Sequence, residues 1–146
     1  MQARWNGKHL EIQLKPRKGE GGYSLANRVL NKKHRSLKTV IRYSGRKKLL
    51  LDRPLRFPVK VVEGSIRGSA LQALFPKDRA TEEGWLHRVS YNWETTTLLA
   101  GVFAKEGITA SHLTKRNQLR RNGNLLKIND PILIPWDWMS RELRIS

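Results

Sequence analysis

The chain has 146 residues, no cysteine and a formal net charge of +17. Its length allows one domain or two very small ones. The missing thiols exclude disulfide staples and cysteine-held zinc, and the basic excess favours polyanionic partners. That excess is uneven: residues 1–62 hold 17 Lys and Arg against 3 Asp and Glu, whereas residues 63–146 hold 12 against 9.

The alternation of Leu10, Ile12 and Leu14 with polar neighbours predicts a strand that ends near Pro16. Glycines between Lys18 and Gly22 predict a turn. Leu25, Ala26, Val29 and Leu30 recur at helical spacing, with Ser24 near the N-cap. A second helix is expected from Ser36 to Ser44, stopped by Gly45. After the basic loop Arg46-Lys47-Lys48 and a turn at Asp52-Arg53-Pro54, a strand through Leu55, Phe57 and Val59 closes the first unit. Residues 63–85 read as a partly ordered linker, with a short helix near Ala70 to Phe75. The second unit then repeats the order. A strand runs through Leu86, Arg88 and Val89, and a helix over Thr95 to Lys105 turns Leu98, Leu99, Val102 and Phe103 inward. A helix capped by Thr109 runs to about Asn117, a polar loop follows, and the strand Ile132-Leu133-Ile134 stops at Pro135.

The likeness extends to the residues themselves. Gly19 to Ala26 answers to Trp93 to Ala100 at a spacing of 74 positions, and Asp52 to Pro58 answers to Asn129 to Pro135 at 77. Two copies of one strand–helix–helix–strand unit are therefore expected, over residues 9–62 and 86–136. Each copy is about fifty residues, near the lower limit for a free-standing core. The fold class is α+β, with two antiparallel strands per unit and both helices on one face.

The unit resembles the LysM module. Gly19, Glu20, Tyr23, Ser24, Leu25 and Ala26 fit the family's first-loop pattern, as do Glu94, Thr95, Leu99 and Ala100. Asn117 fits the asparagine after the second helix, and both copies end in an aliphatic–proline strand. Trp93 stands where glycine is usual and Thr97 where an aromatic is usual. The order of the whole chain also resembles the non-catalytic region of bacterial N-acetylmuramoyl-L-alanine amidases. The resemblance implies binding of N-acetylglucosamine-containing glycan, above all peptidoglycan strands, in a groove between the first loop and the loop after the second helix. On this chain the implied ligand-binding positions are Gly19, Glu20, Gly21, Gly22, Tyr23, Arg46 and Lys47 in the first unit. In the second they are Trp93, Glu94, Thr95, Thr96, Asn117, Asn122, Gly123, Asn124 and Leu125.

Several of these residues also have a purely structural reading. Glu20 and Glu94 at a helix start favour the helix dipole, Thr95 reads as a cap, and Asn117 as a tie between backbone segments. His9, His34, His87 and His112 are scattered without metal-ligand spacing, and no nucleophile motif is present, so a binding protein without cofactor is expected rather than an enzyme. Apolar runs are too short for a membrane span. No signal-peptide core stands near the start, so action in the periplasm or envelope would need an export signal outside this sequence. The rival expectations are a nucleic-acid-binding protein, using Arg28, Lys32, Lys33, Arg35, Lys38 and Arg42 on phosphates, and a structural part of an envelope or phage-tail assembly.

Overall fold

The structure is a computed structural model and describes residues 1–45, 48–119 and 126–143. The chain divides into two compact units, the first through Leu74 and the second from Phe75. Helices and strands are mixed in both, an α+β architecture.

Unit 1 is built from β1 (Gln2–Trp5), β2 (Leu10–Leu14), α1 (Gly22–Val29), α2 (Leu37–Ser44), β3 (Leu55–Pro58) and α3 (Gly64–Leu74). Its sheet has the order β1-β2-β3, antiparallel throughout, with Ile12 opposite both Ala3 and Phe57. Leu10, Ile12 and Leu14 all face the core, as strict alternation requires. Leu25, Ala26 and Val29 of α1 and Val40 of α2 are buried as well, and supply the apolar interior from the helical side. The Ser36 hydroxyl caps α2 by accepting from the Thr39 amide, and Gly45 ends it at φ 72°, a left-handed conformation that suits glycine.

Unit 2 runs β4 (Arg79–Ala80), β5 (Gly84–Arg88), α4 (Thr96–Phe103), α5 (Ala110–Arg116) and β6 (Pro131–Pro135). Its sheet order is β4-β5-β6, again antiparallel, with His87 opposite Ile132 and Trp85 opposite Ile134. Thr95 caps α4 through the Leu98 amide, and at the start of α5 the Thr109 amide donates to His112 Nδ1. In both units the strand after the helices leads into a 3-10 turn, Val59–Val61 and Trp136–Trp138. Equivalent backbone bonds then follow. Asn31 N–H donates to Val61 O and Glu63 N–H to Val29 O in unit 1; Lys105 N–H donates to Trp138 O and Ser140 N–H to Phe103 O in unit 2.

Several details differ from the sequence expectation. Each sheet has three strands rather than two, because β1 and β4 add an edge. Helix α1 starts at Gly22 with Gly21 as its N-cap, so Ser24 lies inside the first turn. Val59 leaves the strand for the 3-10 turn, since Pro58 offers no amide to the ladder. Leu98 is half-buried. The stretch read as a linker holds the eleven-residue α3, which packs on β1, then β4 and the start of β5. Glu63 starts that helix by accepting from the Ser65 and Ile66 amides at 2.9 and 3.2 Å.

Candidate functional site

In unit 1 the chain leaves β2 at Pro16, turns through Gly19 and enters α1 at Gly21. Facing this loop is the segment after α2. Together they border an open cleft of about 480 Å³, with Pro16 to Gly21 on one side and Lys48, Leu49 and Leu51 on the other. Gly19 takes φ 80°, where a side chain would be strained, and a Cβ at Gly21 would meet nothing within 4 Å. Gly21 offers no side-chain cap to α1, so among the described residues the amides of its first turn, next to the cleft, have no capping side chain.

Glu20 closes this loop from within. Its carboxylate accepts two bonds from the Arg28 guanidinium at 2.7 and 2.8 Å and one from the Arg17 amide at 3.0 Å. The side-chain bond from Arg28 holds the Glu20 carboxyl below the usual carboxylate range, against the opposing effect of burial. Its charge is thus spent on Arg28. Arg17 and Lys48, both exposed, give the cleft its cationic rim, while Leu49 and Leu51 give it apolar surface. Tyr23 stands 70% exposed on the first turn of α1. Gly22 is buried, and a Cβ there would come 2.5 Å from a Leu37 methyl, so it serves helix packing. Arg46 and Lys47 lie outside the described residues.

In unit 2 the equivalent loop is closed by Glu94. Its Oε2 accepts from the Ser90 and Tyr91 amides at 2.6 and 2.8 Å, and its Oε1 meets His87 Nε2. Glu94 and Thr96 are buried, Glu94 at 2% exposure, and both side chains face inward. Thr95 is spent on its cap. Trp93, half-buried, stacks on Tyr91 at 4.9 Å between centroids with planes 10° apart. The Asn117 side chain joins α5 to β6: its amide donates to Leu113 O and Leu133 O at 2.9 and 3.0 Å, and its oxygen accepts from Leu133 N–H at 2.7 Å. Asn122, Gly123, Asn124 and Leu125 lie outside the described residues.

Neither glutamate acts mainly on a helix dipole, as its position before a helix suggested. Each folds back on amides of its own loop and is held by a cation or an imidazole. Sequence reasoning missed Arg17 and Leu51 as cleft residues, because the expected positions begin at Gly19 in the first loop and stop at Lys47 in the second. It also missed His87 as the partner of Glu94, and Asp78 as the second partner of His87, since these come from a strand and a turn that carry no motif. Among the described residues no group of three or more His, Cys, Asp or Glu is placed to hold a metal ion. No described helix is long and apolar enough to cross a membrane. No protein-family model, curated protein or solved structure matches the chain.

Proposed function

We propose that this protein is a non-catalytic glycan-binding protein that takes N-acetylglucosamine-containing polymer, in particular peptidoglycan, in the cleft of unit 1. The observation that carries this reading is the cleft itself, bordered by the loop before α1 and the segment after α2. That is where the LysM resemblance puts the sugar groove. A glycan chain offers N-acetyl groups, hydroxyls and flat C–H faces. Open amides beside side-chain-free Gly19 and Gly21, with Leu49 and Leu51 opposite, match those groups. The carboxylates of peptidoglycan stems would be drawn to Arg17, Lys48 and the basic surface around them, so binding should weaken as salt rises. The site of action on this reading is the cell envelope.

Retention on purified, nucleic-acid-free sacculi at moderate salt tests it. Gly21→Trp is the informative variant, because the open space at Gly21 accepts a side chain that would fill the cleft. It should abolish retention while thermal stability stays within about 1 kcal/mol of the parent. Retention on DNA or RNA with none on sacculi would replace this reading by nucleic-acid binding.

A further inference from the structure

Unit 2 seals three ionisable groups in its interior. His87 has no exposed side-chain surface; its Nδ1 lies 2.7 Å from Asp78 Oδ2 and its Nε2 lies 2.5 Å from Glu94 Oε1. Both carboxylates are pinned by other donors. Asp78 accepts from the Trp85 indole N–H at 3.2 Å and the Arg88 amide at 3.0 Å; Glu94 accepts from the Ser90 and Tyr91 amides. Each therefore turns a fixed oxygen towards the ring. A neutral imidazole has one N–H and serves one of them, leaving a ring lone pair against the other carboxylate. A doubly protonated ring donates to both.

The surroundings of the ring reinforce this. Phe75 meets it edge-on at 4.6 Å and Phe103 from α4 lies tilted by 46° at 5.5 Å, so neither adds charge. Arg88 turns its guanidinium away, to the Asn129 carbonyl. Among the described residues the charged groups facing His87 are Asp78 and Glu94. Burial opposes the charged ring, but the hydrogen bonds to Asp78 and Glu94 outweigh it and raise the His87 pKa above its ordinary 6.5.

We propose that His87 is a proton-held clasp: as imidazolium it ties Asp78 to Glu94 and closes the Ser90–Glu94 loop, which carries the stacked Tyr91–Trp93 pair, and losing that proton opens the loop. The proposal stands on unit 2 alone and is independent of glycan binding at the cleft.

Nitrogen-resolved NMR of the full chain between about pH 6 and pH 9 tests it. At about pH 6.5, where an ordinary imidazole is half protonated, most His87 rings should carry a proton on both nitrogens. As the ring loses one, amide exchange at Ser90 and Tyr91 should accelerate beyond its intrinsic base dependence, while the Leu133 amide, held by Asn117, keeps its protection. A ring with a single N–H at about pH 6 would overturn the proposal. So would unchanged protection at Ser90 and Tyr91 through the ring's titration. Glu94→Gln should lower the proton affinity of the ring by about tenfold or more; if that variant does not fold, the measurements on the parent chain still decide.

Discussion

In unit 1 the loop before the first helix is held by a carboxylate that reaches outward to an arginine; in unit 2 the equivalent carboxylate reaches inward to a histidine. Glu20 pairs with Arg28, whose side chain keeps some solvent contact. Glu94 pairs with His87 where neither side chain has exposed surface. The strand position that carries His87 in unit 2 carries Leu14 in unit 1: each lies opposite the corresponding residue of the closing strand, Ile132 and Leu55. Unit 1 thus completes its core with an aliphatic residue and leaves its acid at the edge. Unit 2 places a polar group in the core and must then satisfy it from both sides. One scaffold accommodates both because the strand register fixes where the side chain points, while its partners come from loops. A buried ionic cluster of this kind is a weak source of net stability, but it is costly to break by halves.

His87→Leu, which gives unit 2 the residue of unit 1, is therefore the most damaging change expected. It leaves Asp78 and Glu94 buried without their shared donor, at a cost of about 3–5 kcal/mol. Four of the five tryptophans, Trp85, Trp93, Trp136 and Trp138, lie in unit 2. Denaturant unfolding followed by tryptophan fluorescence should show the midpoint collapse, while amide signals of β2 in unit 1 persist. A midpoint close to that of the parent would mean that the cluster contributes nothing as a unit.

Asn117→Ala comes second. It removes two hydrogen bonds to Leu133 of β6 and one to Leu113 O of α5, and strands the Leu133 amide, at about 2 kcal/mol. Near the end of α2, unit 1 instead packs the Tyr43 ring edge-on against Phe57 of β3 at 5.9 Å. Tyr43→Ala should cost a similar amount by lost packing. The contrast would appear in amide exchange, with Leu133 exposed in one variant and no comparable amide released in the other.

These pairs also mark what the sequence could convey. Strand β2 was legible because Leu10, Ile12 and Leu14 alternate, and α2 because Ser36 and Gly45 bracket it. Strand β1 was not, since only Ala3 of its four residues is buried and the pairing that makes it a strand is supplied by β2. Only the end of helix α3, near Ala70 to Phe75, was legible; its start holds Gly64 and Gly68, which carry no side chain to mark a helical face, although both are buried within the helix and Glu63 supplies the cap. At the sites, Glu20 and Glu94 were marked by their repeat, but their partners are not at equivalent positions. Arg28 lies eight residues after Glu20 and His87 seven before Glu94. A repeat reveals the shared scaffold and hides whatever the copies do differently.

A pH titration sharpens the same comparison at smaller amplitude. The Glu20 carboxyl is lowered from 4.5 by its bond to Arg28. Its contribution is present above about pH 4.5 and is lost as pH falls through the folded-state value. The His87 ring is raised from 6.5, so its contribution is complete below that pH and is lost as pH rises through the folded-state value. Unit 1 should therefore weaken at the acid end and unit 2 at the alkaline end. Glu20→Gln should cost no more than about 1 kcal/mol at neutral pH, given the partial exposure of the pair, and should flatten the acid limb of unit 1. NMR melting with separate reporters in each unit checks both limbs. Coincident loss of the two units at one extreme would contradict the assignment.

The smallest effect on stability is also the one closest to function. Gly21 and Thr95 occupy equivalent N-caps, and Thr95 alone offers a side-chain acceptor, to the Leu98 amide at 3.1 Å. Gly21 already has the extended backbone of a cap, at φ −93° and ψ 177°, so threonine fits there without strain. Gly21→Thr should stabilise unit 1 by a few tenths of a kcal/mol, and Thr95→Gly should destabilise unit 2 by roughly the same. If the open amides of α1 serve glycan, the new hydroxyl would compete for one of them and its methyl would enter the cleft, so sacculus retention should fall even as the melting temperature rises. A variant that melts higher and binds as before would locate the sugar contacts away from the start of α1, towards Leu49 and Leu51.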